Sequence, residues 1–201
     1  MTVILIHSHF GAPPAGYAAA ASTGRVAIVR ERDLVASDFG AASGLITTTH
    51  LDQVGFLAHA DALTTLLDRG GRWFFNGHML RNFLCGLSRY VPLTAPKRAD
   101  YVLTRLYEHP IFADIDQSSL EENNGVAGFY GRGHNPLPPG AIPVNGIGAE
   151  LRPIDWAWSR PEGGHIFSHA GNDVGGMGGQ TGNGPLLTQR IIAWCAGELA
   201  P

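Results

Sequence analysis

Residues 72–80 read Arg-Trp-Phe-Phe-Asn-Gly-His-Met-Leu: an apolar strand, Trp73 to Phe75, that stops at Asn76-Gly77, presents His78 and turns straight into a helix. That helix is predicted from Leu80, Phe83, Leu84 and Leu87, whose spacing sets one apolar face against a sheet. Upstream, the span from Asp52 to about Arg69 carries Phe56, Ala60, Leu63 and Leu67 four, three and four residues apart on one helical face. Gly70-Gly71 ends it, because glycine takes the left-handed cap at little cost. Before it, Leu45 to Thr49 reads as a strand ending at His50. Arg25 to Val29 reads as another, followed by a charged, solvated stretch from Arg30 to Asp33. Thr2 to Ile6 is a continuous apolar, β-branched run of the kind buried on both faces of a parallel sheet, and Ala15 to Ser22 is a short helix or a loop. Four βα-type units in succession imply a doubly wound α/β protein, a flavodoxin-like three-layer sandwich with a mostly parallel central sheet. Right-handed crossovers then put every loop that follows a strand on one edge, where such sheets bind ligands.

Downstream of Leu87 the texture changes. Tyr101 to Leu106 reads as a strand leading into Glu108-His109-Pro110-Ile111-Phe112. Gly125 to Gly148 is rich in Gly, Pro and Asn and reads as an irregular insertion or lid with short strands at its edges. Ile154 to Trp158 and His165 to Ser168 form a predicted hairpin around Pro161 to Gly164. The segment GGMGGQTGNGP, Gly175 to Pro185, resembles a phosphate loop in composition. It lacks the Gly-Lys-Ser/Thr ending and does not follow the first strand of a βαβ unit, so a flexible loop is the favoured reading. The last helix starts near Pro185 and sets Leu187, Ile191, Trp194 and Cys195 on one face.

With 201 residues, 44% hydrophobic and 15% charged, the chain is long enough for one sizeable core, and a single domain over 1–201 is expected. A formal charge of −3 and a pI near 6.3 without long basic runs give no footprint for nucleic acid or an anionic membrane. The opening MTVILIHSHF has no basic leader region, and nothing approaches the roughly 20 apolar residues of a span, so a cytoplasmic protein is expected. Cys85 and Cys195 lie on separate predicted helices without metal-type spacing and are read as reduced, mostly buried thiols. The expected partner is a small-molecule ligand, with a homodimer expected because soluble oligomers are most often symmetric dimers.

The nine histidines are placed suggestively: predicted strands end in His7 and His9, His50, His78 and His169. Strand ends converge in an α/β sheet, so these rings could line one cleft; alternatively each is hydrogen-bonded on its own at a strand end, as single buried histidines commonly are. Convergence is favoured for His78 and His169, while for His7, His9 and His50 the two readings balance. His59 is read as a surface residue. His78, at a predicted helix N-terminus, would be held neutral by the helix dipole and serve as base, hydrogen-bond donor or metal ligand. His169 could be a second acid/base group if Asp173 reaches and orients its ring, with Asn76 and Asn172 as flanking binding groups. No cofactor is required. A divalent metal depends on tertiary convergence, since no histidine pair has i, i+4 helical spacing.

The elbow at NGHM, the HPIF segment about thirty residues later, and IDWAW and HIFSHAGND before a final helix together resemble the ThuA-like (trehalose-utilisation) family of the class I glutamine amidotransferase-like superfamily. The resemblance implies an amidotransferase-like domain acting on or binding a small polar molecule, plausibly a carbohydrate derivative, through His78 and His169. Related amidotransferases carry a cysteine at the elbow and an acid two residues after the late histidine. Here those positions hold His78 and Gly171, so glutaminase activity, which needs a thiolate, is not expected. Leu80 stands where small residues let the elbow turn tightly, which bears on any oxyanion pocket near Met79. Trp156, Trp158 and Tyr130 are candidates for stacking on a sugar face or for core packing. The alternative is a non-catalytic binding or assembly module on the same fold.

Overall fold

All five residues of strand β4, Arg72–Asn76, are buried, as an aromatic run without polar alternation requires of a strand covered on both faces. The structure is a computed structural model that describes residues 2–121, 126–175 and 183–201. The start of the insertion at Gly125 and most of the GGMGGQTGNGP segment, 176–182, therefore lie outside the described residues. The other strands are β1 (Thr2–His7), β2 (Val26–Arg30), β3 (Ala42–Thr47), β5 (Val91–Pro92), β6 (Thr104–Arg105), β7 (Gly133–His134), β8 (Ile142–Ile147), β9 (Arg152–Ser159) and β10 (His165–His169). Eight of them form one sheet in the order β2-β1-β3-β4-β10-β9-β8-β6, and β5 and β7 form a separate two-stranded ribbon. From β2 to β10 the neighbours are parallel, and β9, β8 and β6 continue antiparallel. The order reverses between β1 and β3, the switch point of a doubly wound sheet.

Alternation on β4 divides the core. Phe74 faces a layer that includes Val3, Leu5, Phe167, Leu187, Ile191 and Trp194. Those last three come from helix α6 (Gly184–Ala196), which packs here with helix α1 (Ala15–Ser22). Phe74 stacks on Phe167 of the neighbouring strand, ring centroids 5.1 Å apart, an arrangement worth ~1 kcal/mol beyond area burial. Trp73 and Phe75 face the other layer, with Leu63, Leu66, Leu67, Phe83, Trp156 and Trp158. Helices α2 (Ala36–Ala41), α3 (Gln53–Phe56) and α4 (Ala60–Asp68) cover it, and a short helix α5 (Ser118–Glu121) lies in the second half.

Several expectations are corrected. The segment after His78 is not a helix. A helix would give the Met79 carbonyl to the Phe83 N–H, but that carbonyl accepts the Tyr90 N–H at 2.7 Å, closing the segment as a loop; at its start Asn135 Oδ1 accepts the Met79 N–H at 2.9 Å and Gln53 Oε1 accepts those of Leu80 and Arg81 at 2.7 and 3.2 Å. Phe83 and Leu87 are still buried, whereas Leu80 is 52% exposed. The predicted helix from Asp52 is two pieces, α3 and α4, joined by a 3₁₀ turn at Leu57–His59. There His59 stacks on Phe39, centroids 5.8 Å apart, rather than standing free at the surface. The Gly/Pro-rich insertion contains β8, a six-residue strand of the main sheet paired with β9, while the strand expected over Tyr101 to Leu106 is reduced to β6. Cys195 is buried but Cys85 is exposed.

Candidate functional site

β10 runs parallel to β4 with His169 opposite Asn76, so the late histidine and the elbow emerge side by side at the C-terminal edge. On its other side β10 is antiparallel to β9, with His169 directly opposite Asp155. Directly opposed residues in such a pair share a face, and His169 Nδ1 lies 2.6 Å from Asp155 Oδ1. Asp155 Oδ2 accepts from the Tyr130 hydroxyl at 2.7 Å and from Asn145 Nδ2 at 2.6 Å. His169 and Asp155 are both fully buried. A carboxylate only accepts, so the hydrogen of the neutral ring sits on Nδ1 and the lone pair on Nε2, which has no hydrogen-bond partner among the described residues. Burial, and then the neighbouring Asp155 charge, push the Tyr130 hydroxyl pKa well up, so it stays a donor.

The sequence pairs Asp173 with His169, and the structure does not. Asp173 Oδ1 accepts from the Thr49 backbone N–H at 2.7 Å and from Thr49 Oγ1 at 2.9 Å. Burial raises its carboxyl pKa and the Thr49 hydrogen bonds pull the other way. Asn172 donates from Nδ2 to the Phe129 carbonyl at 2.7 Å. The two residues pin a turn across His169, and at its start a Cβ on Gly171 would lie 2.6 Å from Nε2 and would strike the Tyr130 carbonyl. Only a residue without a side chain can cover the imidazole so closely.

His78 is exposed and stacks on the Tyr90 ring, centroids 3.7 Å apart and planes 14° from parallel. Its pKa is lowered by desolvation first and by the charge of His169 second; the expected helix dipole plays no part, since no helix follows. The elbow turns at Gly77, φ +108°, whose N–H donates to the His169 carbonyl at 2.9 Å. Asn135, completely buried, holds the same turn by accepting the Met79 N–H and donating to the Gly77 carbonyl at 3.0 Å and to Ser168 Oγ at 2.8 Å. The backbone donors that would form an oxyanion pocket near Met79 are thus engaged by Asn135 and Gln53.

The remaining candidates converge in part. His9 and His50 meet edge to face, centroids 4.8 Å apart, at the β1/β3 switch point. His7 is buried, with Nε2 3.0 Å from the Gly11 carbonyl oxygen. Asn76 is a structural clamp rather than a binding group: Nδ2 donates to the Thr47 carbonyl at 2.9 Å and Oδ1 accepts from the Val174 N–H at 3.2 Å. Trp156, Trp158 and Tyr130 are all buried, so none presents a face for sugar stacking. Among the described residues no group of three or more His, Cys, Asp or Glu is placed to hold a metal ion. The sequence reading missed Asp155, Asn135 and Gln53. The first was within reach, because a hairpin turning at Pro161 to Gly164 pairs Ser159 with His165 and, four residues on, Asp155 with His169.

The sheet order, the helices on both faces and the elbow beside a buried histidine define an α/β sandwich with a mostly parallel central sheet, without a thiol at the elbow. Solved structures of this fold include a candidate GMP synthase component from Thermoplasma acidophilum, 13% identical over 98% of this chain and 95% of that one, TM-score 0.61. A cytoplasmic protein from Salmonella typhimurium is 10% identical over 96% of this chain and 98% of that one, TM-score 0.59. A candidate ThuA-like protein from Bacteroides uniformis is 12% identical over 98% of this chain and 92% of that one, TM-score 0.52. At these identities the likeness is one of fold. No family model matches the sequence, and no curated protein matches it significantly. Among the described residues no helix is long and apolar enough to cross a membrane.

Proposed function

We propose that the C-terminal edge of the sheet binds a small polar molecule and that His78 and His169 handle its protons, in the manner of a ThuA-like protein and without glutaminase activity. The observation that carries this reading is His169, with Nδ1 bonded to Asp155 and Nε2 without a partner among the described residues. Leaving a buried polar group unpaired costs about 1–3 kcal/mol, a cost that packing alone does not explain and that a proton-accepting role does. His78, exposed beside it, is the first group a ligand meets. The ligand class is a carbohydrate derivative, supported by the resemblance and by the ThuA-like structural neighbour rather than by any sugar-stacking surface. Neither a cofactor nor a metal enters the reading.

The second reading, a non-catalytic binding module, is favoured by one feature: Gly171 covers Nε2, so a ligand reaches it only if the turn from Gly171 to Asp173 moves. The two readings part in one experiment. Glucose, trehalose and gluconate are titrated into the protein while the histidine ring C–H resonances are followed by NMR. Acid/base handling predicts shifts at both His78 and His169, with loss of the response in His78→Ala. Shifts confined to His78 select the binding module. No response from either ring, to any of the three, removes the site as proposed for these sugars.

A further inference from the structure

The two edges of the main sheet are finished differently. β6, at one end, is only two residues long, the short form in which edge strands escape pairing with other chains. β2, at the other end, runs over five residues, and among the described strands it hydrogen-bonds to β1 alone. The Val3 N–H donates to the Arg25 carbonyl at 3.3 Å, so Arg25, Ala27 and Val29 turn their backbone groups toward β1. Val26 and Ile28, with the Arg30 N–H, turn outward, and no described residue takes these groups. β2 also lacks the devices that keep an edge from pairing: it has no proline, no lysine and no break in its register with β1. Its one charged side chain, Arg30, is drawn back to the His9 and Gly11 carbonyls at 2.6 and 3.4 Å.

Helix α1 packs against β2 and continues the same surface. Its sequence, AGYAAAAS, carries no charge; it buries Tyr17 and exposes Ala15, Gly16, Ala18, Ala19 and Ser22. A solvent-facing helix ordinarily presents charged residues there. Strand and helix together fit a second copy of this chain. Laid antiparallel on its own counterpart in the register that overlaps the whole strand, Ile28 exchanges both backbone bonds with Ile28, and the Arg30 N–H meets the partner subunit's Val26 carbonyl. That register sets Arg25 against the partner subunit's Glu31, with Asp33 two residues on, so opposite charges meet at both ends. Arg25 is free to take part, since its bond to Glu198 at 2.6 Å is an exposed pair of little weight. Glu31 uses only Oε1, for the Asp52 N–H at 2.7 Å. We infer that β2 is the interface of a homodimer, two β2 strands pairing about Ile28 on a twofold axis that brings the alanine faces of the two α1 helices together. Each chain has one such edge, so assembly closes at two copies.

Light scattering on the purified chain, taken over a concentration series, is expected to read twice the 21.4 kDa chain mass. Ile28→Pro removes an outward N–H that β1 does not use and is expected to return the mass to that of one chain. Ala27→Lys is the companion variant, because it places a charge on the edge at an exposed position and leaves the backbone alone; it too gives single chains, with the circular dichroism of the native fold. Arg25→Glu turns two symmetric attractions into repulsions and weakens the dimer about tenfold, and adding Glu31→Arg restores it. A single-chain mass at every concentration overturns the proposal and leaves the edge to a strand from another protein. A dimer that persists in folded Ala27→Lys overturns it as well, and failure of the Arg25 and Glu31 exchange to restore pairing overturns the register.

Discussion

Asp155 carries more of the structure than any other single carboxylate near the site. It has no exposure and receives hydrogens from His169, Tyr130 and Asn145. Replacing it with alanine leaves three buried donors without an acceptor, each costing about 1–3 kcal/mol, so Asp155→Ala is expected to lose at least about 3 kcal/mol in urea unfolding. Asp173→Ala removes bonds only to Thr49 at a partly exposed position and is expected to cost ~1 kcal/mol. Equal losses would mean that Asp173 is, after all, the acid coupled to the late histidine. Closeness in sequence favours Asp173, four residues after His169, over Asp155 on the other arm of the hairpin. What separates them is that β9 runs antiparallel beside β10 in a register that sets Asp155 against His169.

The elbow is the element that departs furthest from its sequence pattern. Its apolar spacing at Leu80, Phe83, Leu84 and Leu87 fits a helix, yet the Met79 carbonyl is taken by the Tyr90 N–H, and side chains from distant segments, Gln53 and Asn135, hold the N–H groups at its start. Two consequences can be measured. Asn135→Ala strips the Met79 N–H and Gly77 carbonyl of buried partners and should cost about 2–4 kcal/mol. Gln53→Ala acts at the surface, should cost under about 1 kcal/mol, and should show mainly as faster amide exchange at Leu80 and Arg81. Restoring the missing thiol is not expected to restore a glutaminase: His78→Cys should release no glutamate from glutamine above background, because an acyl intermediate also needs free donors for its oxyanion. Measurable turnover in that variant would show that the Asn135 and Gln53 contacts open during reaction.

At the scale of the whole molecule, His109 ties stability to pH. Burial first, and the Arg105 and Arg72 charges further, against the opposing pull of Asp155, bring its pKa down to about 4 from 6.5. The unfolded chain binds the proton near 6.5 and the folded one only near 4, so the unfolded state holds more protons in between. The contribution is fully present above about pH 6.5 and is lost as pH falls toward about 4. At ~1.4 kcal/mol per unit the loss approaches about 3 kcal/mol. Urea midpoints taken from about pH 7 down to about 4.5 should fall accordingly, and His109→Gln should flatten that fall; an unchanged slope would place the acid sensitivity elsewhere.

The sequence by itself determined the core of the sheet and the edge at which the candidate histidines stand. Buried strands at Thr2–His7 and Arg72–Asn76, glycine stops and helix periodicity are local signals, and each is read from neighbours along the chain. It also determined what is lacking, a thiol at position 78. Only the tertiary structure decided the partners of the functional groups. That His169 answers to Asp155 and not Asp173, that the elbow is held by Gln53 and Asn135 instead of coiling, and that β8 joins the main sheet are all matters of hydrogen bonds between residues far apart in the chain. Such pairings depend on strand register and on which buried donors find which acceptors; residue spacing encodes register only across a tight hairpin such as β9–β10 and encodes the acceptors not at all.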